Sequence, residues 1–116
     1  SVVETATLPQ AALIYRLSGD FNPLHADPRV AKSAGFEKPI LHGLASLGVA
    51  GHAVLKDACG YNPDKFKSFK LRFTSPVYPG ETIVTEIWKD SGDISFRCRV
   101  KERDVVVLNN GYARVA

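Results

Sequence analysis

The stretch ILHGLASLGVAGHAVLKDA, residues 40–58, decides the fold. No charged residue occurs from Gly43 to Leu55. Leu44, Leu47, Val54 and Leu55 keep helical phase, and Val49 and Ala50 fill other faces. A helix apolar nearly all round is a buried helix. At about 1.5 Å per residue it is roughly 24 Å long, which is short for a bilayer. Gly43, Gly48 and Gly51 each weaken it by about 1 kcal/mol relative to alanine. Their presence predicts that other backbone packs close against it.

Working outward, the period changes from 3.6 to two after residue 65. In KFKSFKLRF (65–73), Lys67, Phe69, Leu71 and Phe73 fall on one strand face, and Phe66, Ser68, Lys70 and Arg72 on the other. YPGE (78–81) carries Pro and Gly where a type II turn needs them. TIVTEIW (82–88) reads as a strand, and Asp90-Ser91-Gly92-Asp93 as a hairpin turn. ISFRCRV (94–100) follows, with Ile94, Phe96, Cys98 and Val100 inward. A turn at Glu102–Asp104 leads into VVVLNNGYARV (105–115), a strand bulged near Asn110-Gly111.

Upstream, residues 2–7 form a short strand. Pro9 opens a helix through Leu17 that Gly19 stops. Asp27-Pro28 is a cap-plus-first-turn pair that starts a short helix, ended by Gly35. The expected class is α+β: an antiparallel sheet wrapped around a long central helix, the hot-dog fold, because only a sheet can cover that helix.

The chain has 116 residues, enough for one domain, 1–116. Hydrophobic content of 45% against 23% charged excludes a disordered chain. The formal charge of +3 permits an anionic partner without requiring nucleic acid. Lys65, Lys67, Lys70 and Arg72 interleave with phenylalanines, as in an RNA platform. They read more simply as the solvated face of a strand. No apolar run is long enough for a membrane span, and the N-terminus lacks a secretory pattern. Cys59 and Cys98 form no metal set and read as reduced structural thiols of an intracellular protein. The chain contains no Met, which points to a fragment of something longer.

The chemistry concentrates in SGDFNPLH (18–25). Asp20, Asn22 and His25 place an acid, an amide and an imidazole within one loop. A carboxylate beside an imidazole can hold one water and accept its proton. Asp and Asn there also serve turn formation. Gly43, at the start of the long helix, offers an N–H without an internal partner. That N–H suits a developing oxyanion, although a glycine also suits close packing. His42 can contact ligand or cap the turn. His52, mid-helix, reads as a core or interface histidine.

These residues bring a resemblance into view. YRLSGDFNPLHADPRVA (15–31) resembles the signature of the type 2, R-specific enoyl-CoA hydratases, the MaoC-like hot-dog proteins. AGFEKPILHGLASLG (34–48) is similar to that family's entry into its hot-dog helix, and RFTSPVYPGETI (72–83) to its next strand and turn. The likeness extends to the catalytic C-terminal half of the hydratase region in eukaryotic peroxisomal multifunctional enzymes of type 2. It implies hydration of a trans-2-enoyl-CoA to a (3R)-3-hydroxyacyl-CoA in fatty acid β-oxidation. Asp20 and His25 would be the catalytic pair, supported by Asn22, with the Gly43 N–H on the thioester oxygen. His42, Gly43, Lys70 and Arg72 would meet the substrate, which itself carries the coenzyme A. No metal or redox cofactor is implied. Only one of the two hot-dog repeats of the eukaryotic enzymes is present, so the resemblance implies a homodimer or pairing with a second repeat. It also implies a peroxisomal location. A hot-dog thioesterase and a non-catalytic acyl-CoA-binding lobe are the alternatives.

Overall fold

The computed structural model describes residues 1–116. Strand β1 spans Val2–Ala6, and helices α1 and α2 span Ala11–Tyr15 and Pro28–Ser33. The central helix α3 runs Gly43–Cys59. Strands β2 (Phe66–Phe73), β3 (Thr82–Asp90), β4 (Asp93–Val100) and β5 (Val105–Val115) follow. They form one antiparallel sheet in the order β1-β3-β4-β5-β2. The sheet wraps α3, as expected of a hot-dog fold. No helix is long and apolar enough to cross a membrane.

Local chemistry sets most boundaries. Gly19 takes φ +112° after a 3-10 turn at Arg16–Ser18, and Gly80 takes φ +95° in the 78–81 turn. Both are conformations that glycine reaches without strain. Asp27 accepts the Arg29 N–H at 2.9 Å and caps α2, with Pro28 in its first turn. Ser91 and Gly92 form the two-residue link between β3 and β4.

The core lies between α3 and the sheet. Ile83 and Ile87 of β3 and Ile94, Phe96, Cys98 and Val100 of β4 pack in one cluster with Ala50 and Val54. Burial pushes the Cys98 thiol up to about 11, so it stays protonated there. Both cysteines are free and buried, in keeping with a structural role.

Three expectations need correction. Helix α3 is not covered all round: Ser46, Ala50, Ala53, Val54 and Cys59 are buried, but Leu44 is 62% exposed. A single five-stranded sheet covers one face of a helix and leaves the other open. His52 lies on that open side, exposed, its ring 5.7 Å from Tyr61, and is no core residue of the chain. Strand β2 does not alternate strictly, because its register slips at Phe66/Ser68 and at Lys70/Arg72. The slips turn Phe66 to the side of Phe69, with ring centroids 5.5 Å apart.

The 78–81 turn is tied to the N-terminal segment. Thr7 Oγ1 donates to Glu81 O at 2.6 Å and accepts from the Gly80 N–H at 3.0 Å. The Glu81 carboxylate accepts from the Tyr78 N–H at 2.7 Å and from Arg103. Burial alone would raise the Glu81 pKa, but these donors outweigh it and hold it below its ordinary 4.5. A depressed folded pKa gives stability that is complete above the unfolded value and lost as pH falls through the folded one. Glu81→Gln therefore costs about 1–2 kcal/mol at pH 7. Thermal melts of the two proteins should converge as pH falls below about 4. A constant gap at all pH values would refute this.

Candidate active site

The SGDFNPLH loop is shaped by its own polar groups. Asp20 Oδ1 accepts the Asn22 N–H at 3.2 Å. Asn22 Oδ1 accepts the Leu24 N–H at 3.0 Å and caps a 3-10 turn at Pro23–His25. Pro23 fixes φ at the first position of that turn. The loop thereby folds back and brings His25 toward Asp20.

His25 is half-buried, and its Nδ1–H donates to the carbonyl of Ile40 at 2.8 Å. A carbonyl only accepts, so the proton sits on Nδ1 and Nε2 carries the free lone pair. The His42 ring stacks on the His25 ring, with centroids 3.8 Å apart and planes 25° apart. His42 Nε2–H donates to the backbone carbonyl of Asp20 at 3.1 Å. Donor atoms of Asp20, His25 and His42 all lie within 4.8 Å of one another. Groups so spaced can share one water through two hydrogen bonds of about 2.8 Å each. Chelation of a metal fits less well. Imidazole lone pairs lie in the ring plane, so stacked rings present them side by side rather than toward one point.

At the start of α3, the Ala45 and Ser46 N–H groups both donate to His42 O. The Gly43 and Leu44 N–H groups make no backbone hydrogen bond, and His42 supplies no side-chain cap. Gly43 is exposed and lines a cavity of about 320 Å³ with Ile40, Leu41, Ser46, Phe73 and Val77. A Cβ on Gly43 would stand 3.1 Å from Phe73 Cε1, so glycine keeps this approach open. His25 lines a second cavity of about 350 Å³ with Pro9, Ala12, Leu13, Lys38 and Pro79. Within the single chain, then, the imidazole and the amide border different recesses, on either side of the 39–41 segment.

The expected site residues separate accordingly. Asp20 and His25 are brought together. Asn22 spends its side-chain oxygen on shaping the loop. His42 is 2% exposed, its ring stacked behind that of His25 rather than lining either recess. Lys70 and Arg72 are exposed on β2 and line a shallow cleft with Leu71 and Asn110; neither lines the two recesses themselves, although Phe73, next to Arg72, lines the Gly43 recess. Two contributors were missed: the Ile40 carbonyl, which fixes the His25 tautomer, and Tyr15, whose ring lies 4.6 Å from that of His42. A backbone acceptor leaves no mark in a sequence, and Tyr15 opened the 15–31 signature without a role assigned to it.

A family model described as MaoC like domain matches residues 1–111, and the chain belongs to that family. It is 48% identical over 112 residues to the peroxisomal multifunctional enzyme type 2 of Mus musculus. That match covers 97% of this chain and 15% of the mouse protein. It is 49% identical over 108 residues to the peroxisomal enoyl-CoA hydratase 2 of Arabidopsis thaliana, covering 93% of this chain and 35% of that protein. The solved MaoC-like dehydratase of Phytophthora capsici superposes with a TM-score of 0.97 at 49% identity, covering all of this chain and 40% of that one. The chain thus spans well under half the length of these relatives.

Proposed function

We propose that residues 1–116 form a single hot-dog domain and serve as the catalytic repeat of an R-specific enoyl-CoA hydratase. The observation that carries this reading is the meeting of the Asp20 carboxylate with a His25 ring whose Nε2 is left free. The names of the mouse and Arabidopsis relatives support it.

In this reading a water sits between Asp20 and His25 Nε2. Its oxygen attacks the β-carbon of a trans-2-enoyl thioester as one proton passes to the pair. The carbon–carbon π electrons move to the thioester oxygen, which the Gly43 N–H holds as an enolate. A proton then returns to the α-carbon from the same side, giving a (3R)-3-hydroxyacyl-CoA. The thioester itself acidifies the α-position, so the step calls for no metal or redox cofactor.

A second hot-dog repeat, from another copy or another segment, completes the arrangement. It would cover the open side of α3 and join the two recesses into one acyl tunnel. Lys70 and Arg72 are proposed to meet the coenzyme A phosphates from the rim. A peroxisomal location is proposed by analogy with the relatives' names.

Loss of crotonyl-CoA absorbance, followed together with free thiol, tests the reading. The expected result is loss of the conjugated absorbance without thiol release, from a particle holding two hot-dog units. Thiol release would indicate a thioesterase, and binding without turnover an acyl-binding lobe. Either would contradict the proposal.

A further inference from the structure

We propose that His42 is a positioning residue that locks together the three groups assigned to catalysis; this rests on the hydratase reading above. One side chain touches two of them. Its Nε2–H holds the backbone carbonyl of Asp20 at 3.1 Å, and its ring lies 3.8 Å from that of His25. The third group, the Gly43 N–H, is joined to His42 by their shared peptide bond. A movement of the His42 ring therefore disturbs base, acid and amide together.

The ring itself is held. It is 2% exposed, and the Tyr15 ring leans on it at 4.6 Å with a tilt of 46°. Because Nε2 donates to a carbonyl, the neutral ring carries its proton there and leaves Nδ1 as an acceptor. Nδ1 is buried and has no hydrogen-bond partner. A proton added at Nδ1 would be a buried donor without an acceptor, which is costly. The tautomer with hydrogen on Nε2 is thus built in. A histidine so buried, with an unsatisfied nitrogen, is an expensive choice for packing alone; its two contacts to the loop account for it.

The test uses nitrogen-15 spectra of the whole chain together with kinetics. In the unsubstituted protein, His42 should show hydrogen on Nε2, and His25 hydrogen on Nδ1 only. His42→Gln can still offer an N–H to Asp20 but provides no ring, so His25 loses its stack, its Nδ1–H bond to Ile40 O loosens, and its ring nitrogen signals should shift. His42→Phe keeps a ring but loses the donor. In either variant kcat for crotonyl-CoA should fall about 10- to 100-fold, as expected for a catalytic group displaced by about 1 Å. KM should stay within about threefold, since no substrate contact is lost. In a His25→Ala background, His42→Phe should cost almost nothing further. Unchanged His25 signals in His42→Gln would overturn the proposal whether or not the chain turns over substrate. So would a folded His42→Phe protein with full kcat. A chain inactive toward enoyl-CoA that still shows the expected tautomers, and the shift of the His25 signals in His42→Gln, would sink the hydratase reading and leave the positioning role standing.

Discussion

Asp20→Asn and His25→Ala should each slow hydration of crotonyl-CoA by a factor of about 10² to 10⁴ while the chain stays folded. Asp20 is exposed, and asparagine keeps an oxygen to accept the Asn22 N–H, so the loop retains its turn. What asparagine removes is the negative charge that, in the proposed reaction, orients the water and stabilises the His25 imidazolium. His25 is only half-buried, so its truncation opens little core. It deletes the free Nε2 lone pair and one hydrogen bond to Ile40 O, worth about 1 kcal/mol of stability. Rates near that of the unsubstituted protein, in folded variants, would remove both residues from the chemistry.

The second large effect is on stability. Gly111 sits in β5 opposite Phe96, next to Asn110, whose φ is +52°. A Cβ on Gly111 would fall 2.5 Å from the Phe96 ring and 2.5 Å from its backbone oxygen. Neither can give way. The Phe96 ring is buried and stacked on Phe69, with centroids 4.9 Å apart and planes 8° apart, and the oxygen belongs to the paired strand. Gly111→Ala should therefore cost about 3 kcal/mol, or roughly 15 °C in melting temperature. Gly48→Ala is the contrast. Nothing lies within 4 Å of its Cβ position, so alanine should stabilise the helix by about 0.5–1 kcal/mol. Equal melting points for Gly111→Ala and the parent chain would mean that the β4–β5 register is wrong.

The parts of the fold legible in the sequence were those governed by local chemistry. Gly19, Asp27, Gly80 and the Ser91-Gly92 link mark ends and turns because each answers a backbone requirement within a few residues. The inward set Ile94, Phe96, Cys98 and Val100 followed from the pleat alone. The slips in β2 were not legible. The Lys70/Arg72 slip falls where β2 follows β5 past Asn110, whose bend offsets the pairing with β4 as well, and the Phe66/Ser68 slip lies at the far end, opposite Arg114 and Val115. The half-open state of α3 was hidden too, since an apolar helix reads the same whether a sheet or a second repeat covers it.

The site divided along similar lines. Asp20, Asn22 and His25 stood out because three polar residues flank one proline in one loop. His42 was visible as a residue but not in its place, because stacking on His25 joins positions that only the fold brings together. The separation of the His25 and Gly43 recesses follows from the wall at residues 39–41, which no spacing rule reveals.

The central claim is that Asp20 and His25 act on the same water. Comparing the Asp20→Asn/His25→Ala double variant with each single variant, in crotonyl-CoA hydration, tests it most directly. If the two groups work as a unit, the double variant is about as slow as the slower single variant. If the two losses multiply in full, the residues act independently, and the shared-water account is wrong.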